Sequence, residues 1–189
     1  MPFRLIAFLP LSLILLCSCN GRDVKLRTDA VSDRAAIPAL NTGGVTTLVS
    51  DSGITRYRVT ANKWLVFDKA EPPYWEFPQG IYLERFDLQL EVNSTLKADY
   101  AHYNQDTHEW HLKGNVHSVN EKGEIFDTPD LYWNQDDEKI YSDSSIVITR
   151  EKTIIRGYGF KSNQDMTLYT ISNPTGIIPI EDADSTTTK

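Results

Sequence analysis

The triplet Asn-Gln-Asp occurs three times, at Asn104 to Asp106, Asn134 to Asp136 and Asn163 to Asp165, spaced 30 and then 29 residues apart. Each copy follows a stretch of aromatic and alternating apolar residues. Asn and Asp hydrogen-bond their own backbone and tolerate left-handed conformations, so each triplet predicts a turn between two strands. A period in this range makes each unit one hairpin, which cannot bury its apolar face alone and must stack on its neighbours. The correspondence extends beyond the turn. Tyr103 maps to Trp133, Val116 to Ile146, Ile125 to Ile155, and Ala101 to Leu131 and then Phe160.

From Thr46 onward the chain consists of short strand signals with turn punctuation and no amphipathic helix, which predicts an all-β domain over residues 45–180. In Ile54 to Ala61, Tyr57, Val59 and Ala61 alternate with Arg56, Arg58 and Thr60. Phe86 to Asn93 alternates most regularly, with Phe86, Leu88, Leu90 and Val92 on one face, and predicts a strand. Trp110, Leu112, Gly114 and Val116 then oppose Glu109, Lys113, Asn115 and His117, and Ile146 and Ile148 repeat the pattern. Such alternation means a sheet with one apolar and one wet face. Sheets of this kind bury their apolar faces as a sandwich, a jelly roll or a closed barrel. Between Leu96 and Tyr103 both phases carry apolar side chains, so the register is open there and a bulge fits.

The segment Trp64 to Phe86 carries seven aromatic residues, Trp64, Phe67, Tyr74, Trp75, Phe77, Tyr82 and Phe86. They fill one end of the core or line a site for an apolar ligand.

The amino-terminal residues indicate a compartment. Arg4 precedes the apolar run Leu5 to Leu16, which is too short to cross a hydrocarbon layer of ~30 Å as a helix. Residues 1–18 therefore predict a signal peptide. Leu16-Cys17-Ser18-Cys19 looks like a bacterial lipobox. Cys19 fits as the lipidated residue, whereas cleavage before Cys17 would put Leu16 where the peptidase needs a small side chain. A cysteine carrying two or three acyl chains holds a protein on a membrane. Loss of residues 1–18 leaves Cys19 as the only cysteine, so no internal disulfide supports the fold. Residues 19–44 then read as the lipidated cysteine and a flexible linker, containing Pro38 and Gly43-Gly44. Residues 181–189 predict a disordered acidic tail. The net charge of −7 comes without any basic run, which excludes a nucleic-acid surface.

No constellation for chemistry emerges, and neither an enzyme activity, a metal nor a cofactor is expected. His102, His108, His111 and His117 have spacings foreign to zinc sites, and strand geometry points His108 and His111 to opposite faces. Asp136-Asp137-Glu138 lacks the spaced ligands of a calcium loop. Gly157-Tyr158-Gly159 precedes no helix.

An amino-terminal anchor and linker are followed by Thr47-Leu48-Val49-Ser50-Asp51-Ser52-Gly53-Ile54-Thr55-Arg56-Tyr57-Arg58-Val59-Thr60-Ala61. Further along stand Pro78-Gln79-Gly80-Ile81-Tyr82-Leu83-Glu84-Arg85-Phe86 and a hairpin from Leu96-Lys97-Ala98-Asp99-Tyr100-Ala101 through Trp110-His111-Leu112-Lys113-Gly114-Asn115-Val116. Thr128-Pro129-Asp130-Leu131 and Ile155-Arg156-Gly157-Tyr158-Gly159-Phe160 come later. In this order these segments resemble the LptC family, the periplasmic bridge component of the lipopolysaccharide export machine, over roughly residues 45–172. Many members carry an uncleaved transmembrane helix where this chain has a lipobox. The resemblance implies a twisted, boat-shaped antiparallel jelly roll of the OstA-like kind, with an open V-shaped apolar interior that carries lipopolysaccharide tails. Val59, Phe86, Leu88, Leu90, Trp110, Leu112 and Val116 would line that interior.

The resemblance further implies partners. Related jelly-roll proteins of the export bridge and the inner-membrane transporter would join the sheet end to end, with the energy supplied by an ATPase elsewhere. The last strands, carrying Gly157, Gly159 and Phe160, would present the docking edge. The protein would sit in the periplasm, lipid-anchored to the inner membrane. Two other readings stay open: a structural or carbohydrate-binding envelope lipoprotein, with Trp64, Tyr74 and Trp75 on a flat outer face, and a glycan-acting envelope enzyme with two facing carboxylates in a cleft. The lipobox reading has a direct test by membrane fractionation. Cys19→Ser is expected to release the protein into the soluble fraction, whereas Cys17→Ala leaves it membrane-bound; the reverse pattern would overturn the assignment.

Overall fold

An apolar face repeated on strand after strand stays wet unless its sheet meets another sheet or folds onto itself. The computed structural model describes residues 34–177 apart from 152, all within one compact unit. The predicted signal peptide, Cys19 and the acidic tail lie outside the described residues. After a 3-10 turn at Arg34–Ala36 come the strands β1 (Leu40–Asp51), β2 (Ile54–Phe67), β3 (Tyr74–Phe77), β4 (Ile81–Phe86), β5 (Val92–Ala98) and β6 (Tyr100–Asn104). They continue as β7 (Glu109–Val119), β8 (Ile125–Asn134), β9 (Lys139–Arg150), β10 (Thr153–Asn163), β11 (Tyr169–Ile171) and β12 (Thr175–Ile177).

All pairings are antiparallel. β3 and β4 form one interrupted row along β2, β5 and β6 form the next, and β11 and β12 form the last, along β10. The chain is therefore a single all-β meander running from β1 at one edge to β11 and β12 at the other.

Successive rows break at one level. Gly44 interrupts β1, Gly80 lies between β3 and β4, and Asp99 separates β5 from β6. The register shifts at Gly114-Asn115 in β7, between Asp127 and Tyr132 in β8, and around Gly159 in β10. At this line the sheet folds back on itself. β2 and β8 are four rows apart, which in a flat sheet would separate them by roughly 19 Å. Yet the rings of Tyr57 and Trp133 lie 5.8 Å apart. Each row thus contributes one half to a first layer, with β3, β6 and β11, and the other to a second layer, with β4, β5 and β12. The apolar faces meet between them in a jelly-roll-like arrangement.

The meeting faces make the core. Phe77, Ala101, Leu112, Leu131 and Phe160 come from the first layer, and Ile81, Val116, Phe126, Ile146 and Ile148 from the second, all buried. Phe126 packs across the gap on Phe160 at 5.7 Å and edge-on against Tyr169 at 5.3 Å. Asn120, also buried, ties the layers at their tips. Its Nδ2 donates to Glu124 Oε2 at 2.8 Å and to the Met166 carbonyl at 2.9 Å, while its Oδ1 accepts from the N–H groups of Lys122 and Glu124. Beside it Arg85 pairs with Asp165.

The three Asn-Gln-Asp triplets are turns, as their chemistry predicts. Asn104 Oδ1 accepts the N–H of Asp106 at 2.9 Å, Asn134 Oδ1 that of Asp137 at 2.8 Å, and Asn163 Oδ1 those of Thr167 and Leu168 at 3.0 Å. Of the residues that repeat with them, Tyr103 and Trp133, Val116 and Ile146, and Ala101, Leu131 and Phe160 are buried, whereas Ile125 and Ile155 are only half-buried and Ile125 alternates with buried Phe126. The open register near residue 99 resolves as the corner at Asp99, which switches the inward phase from Leu96 and Ala98 to Ala101 and Tyr103.

Three expectations are corrected. The sheet begins at Leu40 and not at Val45, because residues 40–43, which the sequence reads as linker, pair with Lys63 to Val66 of β2. Phe86 to Asn93 is not one strand, because residues 87–91 form a turn between the end of β4 and the start of β5. Asp87 Oδ1 accepts the N–H groups of Gln89 and Glu91, both at 2.9 Å, and closes a turn between β4 and β5 in which Leu90 has φ of 63°. A local aspartate turn overrides the alternation, and Leu88 and Leu90 stand 72% and 61% exposed. Finally, Gly157, Gly159 and Phe160 do not form an edge, since β11 and β12 cover β10 on the side away from β9. A Cβ at Gly157 would collide with the Ile171 side chain, and Ser172 N–H donates to the Gly159 carbonyl at 2.9 Å. These glycines admit the chain's own last row.

Chemical denaturation separates the core from the turn. Leu131→Ala is expected to cost about 2–5 kcal/mol, as for other fully buried leucines, and Leu88→Ala no more than about 0.5 kcal/mol. Equal losses would show that Leu88 is buried after all.

Candidate functional site

Between the two layers, toward the β1 end, the packing leaves an apolar cleft of about 180 Å³. Its floor is a run of rings on the inner face of the first layer, placed by cross-strand pairing. Trp64 of β2 meets Trp75 of β3 at 5.2 Å, Trp75 meets Tyr103 of β6 at 4.9 Å, Tyr103 meets Trp110 of β7 at 4.7 Å, and Trp110 meets Trp133 of β8 at 6.4 Å. Register accounts for this order, since Trp75 lies opposite Tyr103, Tyr103 opposite Trp110, and Trp110 opposite Trp133. Tyr57, Val59 and Leu83 of the second layer face that floor, and Thr47, Val49 and Gln135 complete the lining.

The cleft is small, but its lining of rings and aliphatic side chains suits hydrocarbon. Polar groups are few. Burial raises the pKa of the Tyr57 phenol above its ordinary value, against an opposing pull from Arg85, and burial likewise raises that of Tyr103. Both hydroxyls therefore stay neutral donors at physiological pH. The indole N–H groups of Trp64, Trp110 and Trp133 are buried without a hydrogen-bond partner. Each such donor costs about 1–3 kcal/mol when left unpaired.

A second, narrower cavity lies beside the cleft, sharing Tyr57, Leu83 and Trp133 with it. Gln164, Asp165 and Met166 of the β10–β11 turn close over it, held by the ties to Arg85 and Asn120.

Of the residues expected to line an interior, Val59 and Trp110 face the cleft. Leu112 and Val116 are sealed in the core at 0% and 1% exposure, and Phe86 is buried with the Arg58 guanidinium 5.0 Å from its ring centre. Leu88 and Leu90 lie outside on their turn. Tyr57, Tyr103 and Trp133 join the site with no sequence expectation behind them, whereas Trp64 and Trp75 belong to the aromatic segment for which an apolar-ligand lining is one of the two readings. The aromatic load of residues 64–86 and the mapping of Tyr103 onto Trp133 carried that signal.

The outer face of the first layer has its own rings. Phe67 stacks on Tyr74 at 4.5 Å and Tyr74 on His102 at 4.9 Å, while His111 stacks on Tyr132 at 4.0 Å and Tyr132 on Tyr141 at 5.1 Å. Tyr141 donates to Glu109 and Tyr100 to Glu76; burial first, then these bonds, push both phenols up to about 12. These rings present their faces to one another. Trp64 and Trp75 face inward and not outward. Each of His108, His111 and His117 meets one aspartate, and among the described residues no group of three or more His, Cys, Asp and Glu side chains is placed to hold a metal ion.

Among the described residues no helix is long and apolar enough to cross a membrane. No curated protein matches the chain. A family model described as lipopolysaccharide-assembly, LptC-related, matches residues 8–176, a span that takes in every strand of the meander up to the last residues of β12. With that match over most of its length, the chain belongs to the LptC-related family of lipopolysaccharide assembly.

Proposed function

We propose that this protein is a periplasmic bridge component of lipopolysaccharide export that shelters acyl chains of lipopolysaccharide in the cleft between its layers and passes them toward the outer membrane. The observation that carries the reading is the aromatic-floored cleft: an apolar site between two layers, within a chain whose family acts in lipopolysaccharide assembly. A multi-chain lipid cannot cross water unaided, and each methylene moved from water onto such a surface contributes about 0.8 kcal/mol.

The two edges of the meander suit a chain of like domains. Among the described residues β1 pairs only with β2, and β11 and β12 pair only with β10, which supports both rows as edges for another protein's strand. β-augmentation at these edges would align the cleft with that of a related jelly-roll protein and join it to the inner-membrane transporter. The docking row at the carboxyl-terminal end is thus β11 with β12, in place of Gly157, Gly159 and Phe160. The lipobox supports a lipid tether at Cys19, with the inner membrane as its seat, where the transporter loads the bridge.

Photo-crosslinkers at Thr47, Val59 and Gln135, which line the cleft, are expected to capture lipopolysaccharide in cells, while those at Lys113 and Tyr132, on the outer face, are not. Equal labelling of both sets, or labelling of neither, would remove the cleft from the lipid path.

A further inference from the structure

The third Asn-Gln-Asp turn departs from the other two. In all three the glutamine N–H donates to a carbonyl of the preceding loop, Gln105 to Pro73 at 3.0 Å, Gln135 to His108 at 3.1 Å and Gln164 to Glu138 at 2.9 Å, so the turns form one rim along the first layer. After the first two glutamines the chain stays outside, and Asp106, Thr107, Asp136 and Asp137 are exposed. The third turn bends inward. Its left-handed residue comes three positions after the asparagine, at Met166, where His108 and Glu138 come four positions after theirs. Met166 is 3% exposed. Asn163 holds this shape: its carbonyl accepts the Met166 N–H at 3.0 Å, and its side chain accepts those of Thr167 and Leu168.

The bend ties the two layers together. Away from the line of corners, the polar side-chain contacts between the layers number three among the described residues, and the stretch Asp165 to Tyr169 takes part in each. Arg85 pairs with Asp165, Asn120 Nδ2 donates to the Met166 carbonyl at 2.9 Å, and the Tyr169 hydroxyl donates to Glu124 Oε1 at 3.4 Å. The cleft at the other end holds about 180 Å³, whereas sites for small ligands span ~300–1,000 Å³. A lipid of several acyl chains therefore needs the layers to part. Continuous backbone joins them at the corners, so they part at the strand tips, where the third turn holds them.

We infer that Asp165 to Tyr169 form a clasp on the lipid path. Closed, it shuts the interior at its β11 end. Released, it joins the cleft to the neighbouring cavity of about 50 Å³, which Gln164, Asp165 and Met166 help to line and which shares Tyr57, Leu83 and Trp133 with the cleft. Acyl chains then have a way from the β1 end toward the β11 row. This inference deepens the proposed function and rests on it. The ties suit a clasp that must open, because an ion pair between half-exposed side chains such as Arg85 and Asp165 contributes little, and burial of a few lipid methylenes offsets it.

Pulsed electron paramagnetic resonance on the full-length protein in maltoside detergent tests the clasp. Nitroxide-bearing noncanonical residues replace Lys122 and Leu168, exposed side chains on its two sides, and binding of purified lipopolysaccharide is followed by tryptophan fluorescence. The distance between the labels is expected to lengthen on binding. Asp165→Ala, which removes one tie, is expected to bind about two- to fivefold more tightly, because the open state then costs less to populate. Exchange of the pair, Arg85→Asp with Asp165→Arg, is expected to restore the unsubstituted affinity. The distance measurement stands even where a variant fails to fold. Binding at a fixed distance, or a folded Asp165→Ala protein that binds no more tightly, would overturn the inference and leave the lipid reading intact. Absence of binding by the unsubstituted protein would overturn both.

Discussion

Everything in this fold depends on the line of corners where successive strands change direction at one level. A meander of this many rows, left flat, would hold its apolar face open to water. The corners turn that face on itself, and particular backbone chemistry permits them. At Gly114, with φ of 72°, a Cβ would come within 2.9 Å of the Asp99 carboxylate, which accepts a 2.6 Å hydrogen bond from Asn115 Nδ2. Asp99 N–H donates to the Gly114 carbonyl at 2.9 Å, so two adjacent corners are bonded to each other. In β8 and β9 the Thr128 hydroxyl performs the same service, donating to the Ser145 carbonyl at 2.9 Å across the break in register. These contacts satisfy polar groups where the ladder cannot, as a buried sheet requires.

The folded sheet has two unlike ends. Toward β10 and β11 the gap is filled by Phe126, Phe160 and Tyr169 and stapled by Asn120, whose amide is bonded at both nitrogen and oxygen. Toward β1 and β2 the facing residues are rings and small aliphatics that leave space. Tyr57 and Trp133 stand at the boundary, shared by the cleft and the narrower cavity beside it. Packing and open space are thus assigned to different parts of one interior. The closed end resists opening of the layers.

The rings on the two faces of the first layer serve different purposes. On the outside they stack face against face and support hydrogen bonds from Tyr100 and Tyr141 to glutamates on the same surface. On the inside they form a floor with unpaired indole donors. The carbohydrate-binding reading requires Trp64, Tyr74 and Trp75 together on a flat outer face. Two of these three residues are instead in the inner cleft.

The sequence by itself determined the class of fold, the turns and most of the inward residues, because those depend on local rules: two-residue periodicity for strands and side-chain-to-backbone bonding at Asn104, Asn134 and Asn163. The same local logic failed at Leu88 and Leu90, where alternation persisted through a turn that Asp87 closes. Membership of the family was legible in the order of motifs from Thr47 to Phe160. Which residues make the cleft was decided by the tertiary structure alone. Alternation tells which face a side chain occupies, but not whether a neighbour from another row fills the space before it. Leu112 and Trp110 share one face of β7, yet Leu112 is sealed at the corner and Trp110 floors the cleft. The edge was also decided there, since the free row at the end of a meander depends on whether Ser172 reaches back to Gly159, a contact between segments separated by a turn whose path local sequence does not specify.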